Sequence, residues 1–411
     1  MVTMRTISLN QKSLNYLAGN VLANAITFCG HDEILVGLSN GQLLLFRSYP
    51  SFEVVCDFQC NDLVTAVASS PSMSLDLGFD YISVTALGLL TFFRKTVNSL
   101  GKEVLQDVCS IQTPPNSFNL IIGDVEENGQ LEIIIGYTDR FARIYKTKLS
   151  QNTSNSLIVS GLNLCGSVSF TGHVASMCAF YSYSYNANCL LVSQPGATFV
   201  ALSFSELPKN GGLFAVDDKI RRGPGKNSLL CRTSVKTSWC RPFSQFSQDR
   251  RTDTVELVCI TTLDGLLAIC RFDDGAPLFE IALCAQIVNV SSINVKVEQC
   301  IKCFIAVASW NGIVYLVSEN SEICKLETGV TPQCVAKPDL SSASDSLCMV
   351  SLAPTSLITF ELNEFHNFIN PRLFSRFETD DEFFELLKKT SPGKVHDAEF
   401  LRELLYKYSP T

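Results

Sequence analysis

Short apolar runs alternate with small polar turns along most of the chain, and one unit recurs. It is three or four apolar residues, a turn containing Gly, Asn or Asp, and a second apolar run that ends near an aromatic. Ile34–Phe46 reads ILVGLSNGQLLLF, and the same shape returns at Tyr81–Phe93, Ile133–Tyr145, Leu190–Leu202, Leu257–Ile269, Ile305–Val317 and Cys348–Phe360. Asn40-Gly41, Asp264-Gly265 and Asn311-Gly312 supply turn residues that tolerate positive φ, flanked by Val, Ile, Leu and aromatics that favour strands. Each unit therefore predicts a β-hairpin. The turn residues Gly41, Gly88, Arg140, Gly196, Gly265, Gly312 and Ser356 are spaced by 47, 52, 56, 69, 47 and 44 residues. Seven hairpins at that spacing, each completed by strands from the intervening residues, predict a seven-bladed β-propeller of four-stranded blades over residues 1–365. The segment Thr6-Ile7-Ser8-Leu9, ahead of the first hairpin, is placed to pair with the last blade and cover its edge.

Two regions break the rhythm. The widest spacing holds Leu207-Pro208-Lys209-Asn210-Gly211-Gly212 and Arg221-Arg222-Gly223-Pro224-Gly225-Lys226, which predict an exposed basic insert at about 205–228. From Ser205 to Arg251 there are ten Lys/Arg against four acids, a local balance of +6 that suits a solvated loop or contact with an anionic lipid surface or acidic partner. Near the carboxyl end, Thr379-Asp380-Asp381-Glu382 is a capping-box pattern that opens a helix. Ser391-Pro392-Gly393 ends that helix, and Asp397 caps a second, predicting a helical hairpin over 374–411. Phe383 and Phe384 on the first helix, with Leu401, Leu404 and Leu405 on the second, give the hairpin more apolar surface than two helices bury alone. These five residues are the candidate partner interface.

Composition sharpens the picture in three places. Charged residues are 18% of the chain and there are 27 Phe and 17 Cys, which suits many buried strands. The amino-terminal residues show no apolar signal region, and no apolar run approaches the ~20 residues of a membrane span. With no secretion signal, irregularly spaced cysteines read as reduced core thiols of a cytoplasmic or nuclear protein. A net charge of −8 excludes the whole surface as a nucleic-acid footprint.

Four stretches resemble the integrin-alpha FG-GAP repeat-containing protein 2 family: Glu132-Ile133-Ile134-Ile135-Gly136-Tyr137-Thr138-Asp139-Arg140, Val192-Ser193-Gln194-Pro195-Gly196, Thr262-Leu263-Asp264-Gly265, and Ala308-Ser309-Trp310-Asn311-Gly312. Their order and spacing are similar too, and the paired-helix tail with Glu385-Leu386-Leu387 and Leu404-Leu405-Tyr406 extends the likeness to nearly the full length. The resemblance implies a non-enzymatic scaffold subunit of a KICSTOR-like complex, with a kaptin-like propeller and a large seizure-threshold-like protein as partners. It further implies peripheral association with the lysosomal membrane, recruitment of the GATOR complex, and negative regulation of TORC1 signalling in amino-acid sensing. The alternatives are a calcium-dependent, integrin-like adhesion module and, behind it, an enzyme built on a propeller.

The residues themselves offer little catalytic chemistry. Asp124, Glu126, Asn128 and Glu132 approximate the oxygen-ligand spacing of the calcium loop in integrin-type repeats, with Glu and Asn where Asp is expected. The expectation is an acidic turn with no metal and no cofactor. Gly37-Leu38-Ser39-Asn40-Gly41 matches the G-x-S-x-G nucleophile pattern, but a strand rather than a helix follows, so Ser39 reads as a hairpin residue. Cys300-Ile301-Lys302-Cys303 is a lone C-x-x-C on a strand, where the two thiols face opposite sides. Gly223-Pro224-Gly225-Lys226 lacks the first Gly of a phosphate loop and the helix after it.

Overall fold

The computed structural model describes residues 4–361 apart from residue 9 and residues 30–32, 48–52, 71–78, 126–130, 152–156, 210, 226–227, 231–237, 244–255, 284, 298–299, 319–321, 337–345 and 353–354. The chain divides into two compact units, Met1–Leu362 and Asn363–Thr411. The helical hairpin expected at 374–411, with Phe383, Phe384, Leu401, Leu404 and Leu405, lies outside the described residues.

Two strands open the chain, β1 (Met4–Ser8) and β2 (Asn10–Tyr16). Sheets then follow in sequence order. The first is β3 (Val21–Cys29), β4 (Glu33–Leu38), β5 (Gln42–Arg47) and β6 (Glu53–Gln59); the second is β7 (Val64–Ser69), β8 (Tyr81–Thr85), β9 (Leu89–Val97) and β10 (Glu103–Gln112). The third is β11 (Ser117–Gly123), β12 (Glu132–Tyr137), β13 (Phe141–Gln151) and β14 (Leu157–Ser169). The fourth has only β15 (Met177–Ser182), β16 (Ala187–Gln194) and β17 (Thr198–Ser203), after which β18 (Gly212–Ala215) returns to pair in parallel with β14. The fifth is β19 (Ser238–Pro242), β20 (Leu257–Thr262), β21 (Leu266–Arg271) and β22 (Pro277–Ala282). The sixth is β23 (Ile287–Val297), β24 (Cys300–Ser309), β25 (Ile313–Ser318) and β26 (Ile323–Glu327). The last is β27 (Pro332–Ala336), β28 (Ser346–Leu352) and β29 (Thr355–Glu361), with β2 as its outer strand.

Each innermost strand packs against the next, and β27 packs against β3, so the ring closes. The all-β propeller expected from the repeats is the architecture observed. Its middle strands read as continuous apolar runs because neighbouring sheets cover both of their faces: every residue of β4, β8 and β12 is buried. The outer strand β6 alternates between exposed and covered positions instead. The core accordingly lies between sheets. Val36, Leu45, Val67 and Phe93 join the first two sheets, and Ile82, Phe92, Ile133 and Tyr137 join the second to the third.

Three expectations change. Seven complete blades become six, because among the described residues the fourth sheet has three strands. Among the described residues, Arg222 alone bridges the outer edge of β17, at Phe199, and the Gly223-Pro224 that follows has a proline with no N–H to continue a ladder. The closing strand is also displaced from residues 6–9. Residues Asn10–Tyr16 pair antiparallel with β29, while Met4–Ser8 pair in parallel with β26 of the preceding sheet. The parallel pairing satisfies a second exposed edge that the sequence did not reveal. Finally, the basic insert is folded where it is described. It contains β18 and two single 3-10 turns, Phe204–Glu206 and Asp218–Ile220, each with a side-chain N-cap.

Candidate interaction face and central channel

The turns between the second and third strands of the blades share one face of the ring, tied to the segments that lead into the innermost strands. Ser39 N–H donates to Asn20 O, Ala86 N–H to Leu63 O, Thr138 N–H to Asn116 O and Trp310 N–H to Gln286 O, within each blade. Asn116 N–H in turn donates to Ala86 O, and Ile287 N–H to Leu263 O, which links each of those turns to the next blade. Gly41, Gly88, Gly265 and Gly312 hold φ of 85°, 87°, 90° and 82° at these turns, and Arg140 takes the same place in the third blade at φ 70°.

That bonded rim presents apolar side chains to solvent. Leu87 is 67% exposed, Leu263 43% and Trp310 55%. Leu263 and Trp310 belong to adjacent blades and their backbones bond to consecutive residues, Ile287 and Gln286, so the two turns flank one short segment. Turns closed by backbone hydrogen bonds do not need large apolar residues, and their presence on a rigid rim is a feature of recognition surfaces.

The innermost strands enclose a cavity of about 310 Å³ along the ring axis. Residues of β3, β7, β11, β19, β23 and β27 line it, among them Asn24, Ser69, Asn119, Arg241, Asn289 and Ser291. The asparagines are held: Asn24 Nδ2 donates to Phe118 O at 2.6 Å and Asn119 Nδ2 to Met177 O at 2.9 Å. Pairing slips at Val64/Ala66, Ser117/Asn119, Ile287/Asn289 and Pro332/Cys334 place a bulge at the start of four innermost strands. Such bulges bend the strand where it meets the channel.

The residues singled out in the sequence fall elsewhere. Of the four calcium candidates, Glu126 and Asn128 lie outside the described residues. Glu132 is buried at the start of β12, and its carboxylate accepts Val125 N–H at 2.7 Å, which fastens the turn that begins at Asp124. Ser39 sits in a strand–turn–strand, its Oγ accepting Asn20 N–H at 3.0 Å, which is not the geometry of a nucleophile elbow. Cys303 is buried, its thiol directed to Phe304 O.

Two arginines of the basic insert are spent on the fold. Arg221 Nη2 donates to Pro195 O at 2.7 Å and Thr198 Oγ1 at 2.8 Å, while Arg222 Nη1 donates to Phe272 O at 3.1 Å. Arg222 also hydrogen-bonds Tyr185 Oη and lies 5.2 Å from the Phe272 ring centroid. These contacts span the incomplete fourth sheet and the fifth, so this part of the charge run acts as a brace.

A ring of radial sheets around a polar channel, with backbone-tied turns on one face, defines the chain as a β-propeller. The sequence model described as Integrin-alpha FG-GAP repeat-containing protein 2 matches residues 80–353, and the chain belongs to that family. It is 21% identical to the KICSTOR complex protein ITFG2 of Mus musculus over 94% of this chain and 92% of that one. It is likewise 21% identical to the Bos taurus protein of the same name, over 84% of this chain and 69% of the relative. Among solved structures, a chain from the crystal structure of BBS1N in complex with ARL6DN superposes with a TM-score of 0.55 at 10% identity, covering 87% of this chain and 97% of that one. The WD40 β-propeller domain of Doa1 superposes with a TM-score of 0.53 at 12% identity, over 87% and 98%. These two likenesses bear on the fold alone. Among the described residues no helix is long and apolar enough to cross a membrane.

Proposed function

We propose that the chain is a non-enzymatic scaffold subunit of a KICSTOR-like complex that recruits the GATOR complex to the lysosomal surface and negatively regulates TORC1 signalling in amino-acid sensing. Membership of the family over residues 80–353 carries this reading. The partners are other subunits of the same complex, a kaptin-like propeller and a large seizure-threshold-like protein, and association with the lysosomal membrane is peripheral. The rim with Leu87, Leu263 and Trp310 supplies an apolar surface on a rigid frame, as a scaffold requires. The tail residues Phe383, Phe384, Leu401, Leu404 and Leu405 supply a second candidate contact.

Affinity purification of the tagged full chain from cells tests the proposal, with recovery of both partners and of GATOR subunits as the readout. Leu263→Ser with Trp310→Ala, and separately Leu401→Asp with Leu404→Asp, are expected to reduce partner recovery several-fold per folded molecule. Wild-type chain that recovers neither partner in stoichiometric amount overturns the proposal. Loss with only one of the two double variants assigns the interface to the rim or to the tail.

A further inference from the structure

We propose that the central channel binds a small oxyanion, a carboxylate or a phosphate, through the guanidinium of Arg241. Arg241 stands on β19 and is the charged side chain among those lining the cavity; no Asp or Glu lines it. Several cations of the described residues form ion pairs, Arg47 and Lys95 with Glu33 and Glu103, Arg143 with Asp139, Arg221 with Asp218, Arg271 with Asp274 and Lys325 with Glu327, whereas Arg222 is held by neutral acceptors outside the channel. Arg241 is likewise bonded to neutral groups. Its Nη1 donates to Cys240 O at 3.1 Å, and it meets the Cys178 thiol.

A guanidinium partly enclosed by protein gives up hydration that neutral acceptors restore only in part. An oxyanion offers more, because two oxygens on one carbon or phosphorus can accept two parallel N–H donors in charge-assisted bonds. The rest of the lining suits that ligand. Asn24 and Asn119 each donate one amide N–H to a backbone carbonyl, which fixes the side chain, and each amide carries a second N–H donor. Asn289, 8% exposed, adds a third amide from the sheet next to that of Arg241. The cavity of about 310 Å³ admits a metabolite-sized anion and not a folded partner.

Calorimetric titration of the purified full chain in low-salt HEPES, with inorganic phosphate, citrate and L-glutamate in separate runs, tests the assignment. Saturable binding of at least one is expected, weakened about tenfold or more in Arg241→Gln, as loss of a hydrogen bond to a charged group implies. Asn289→Asp provides the second arm: it changes no side-chain volume and places a carboxylate in the same cavity, so it should abolish binding while the protein still unfolds cooperatively. Phosphate bound without the carboxylates, or the reverse, identifies which oxyanion the channel takes. Absence of saturable heat with all three anions, or equal affinity in wild type and Asn289→Asp, overturns the assignment.

Discussion

Glu33 is only 6% exposed, yet it carries a charge into the seam between the first and second blades. It accepts Tyr81 Oη–H at 2.7 Å and pairs with Lys95 Nζ at 2.6 Å, while Arg47 binds Glu103 across the same seam at 2.7 Å. Tyr81 is held protonated well above its ordinary range, chiefly by burial and further by the nearby Cys29 and Glu33. A buried pair stabilises little compared with an apolar substitute, but removing one member strands the other charge. Lys95 is 27% exposed and keeps Glu103 at 3.8 Å, so Glu33→Gln should cost only about 1–2 kcal/mol in urea unfolding. Lys95→Met, which leaves buried Glu33 with Arg47 at 3.6 Å, should cost more alone than in the Glu33→Gln background. Simple additivity of the two changes would show that the seam is held by its apolar residues, such as Phe58 and Phe93 with ring centroids 4.9 Å apart.

At the scale of the element, the hairpin turn depends on more than positive φ. Gly265 holds φ 90°, and a Cβ there would lie 2.3 Å from Ala285 O and 2.7 Å from Leu283 O, the backbone that follows β22. Gly196 has nearly the same φ, 80°, but nothing within 4 Å of its Cβ position. The left-handed conformation alone costs a non-glycine residue roughly 1–2 kcal/mol. Gly196→Ala should show about that loss, and Gly265→Ala clearly more, since rigid backbone must move. Arg140 at φ 70° shows that a turn without that crowding tolerates a side chain. Equal losses at Gly196 and Gly265 would mean that conformation, and not the outer strand's close approach, selects glycine.

For the whole molecule, the buried thiols predict a loss of stability in alkali, to which buried tyrosines such as Tyr81 add at higher pH. Thirteen cysteines of the described residues are thiols and ten of them are buried, distributed around the ring. Burial pushes the Cys334 thiol from its ordinary 9.0 up to about 12. Cys29 reaches about 12 as well, by burial first and by the Glu33 charge second. Below pH 9 both states keep these protons, so the shifts leave stability unchanged there. Between pH 9 and about 12 the unfolded chain releases protons that the folded chain retains, and stability falls by about 1.4 kcal/mol per pH unit for each such thiol. Urea midpoints should hold level to about pH 8.5 and decline steeply above it, with Cys334→Ala removing part of the slope. A midpoint unchanged to pH 11 would show that these thiols are solvated in the native state.

The hairpins were legible because a blade's middle strands are buried on both faces, which writes continuous apolar runs such as Ile34–Val36 and Leu43–Phe46 around an Asn-Gly turn. Local chemistry of that kind needs no knowledge of the remaining chain. Even Arg140 was recognisable as a turn residue by its place between two apolar runs. The edges were not legible, because an edge strand needs only backbone groups to pair: β1 on β26, β2 on β29 and β18 on β14 carry little side-chain signature of their partners. Asn119 and Asn289 occupy the same offset in their innermost strands, a signal that appears only once the strand starts are known. Arg241 read as one more charge of a basic stretch until ring closure brought it beside residues as distant in sequence as Asn24. Periodicity and turn chemistry determined what each blade is; which strand completes it, and what faces the axis, were decided by closure, because only a closed ring makes distant innermost strands neighbours.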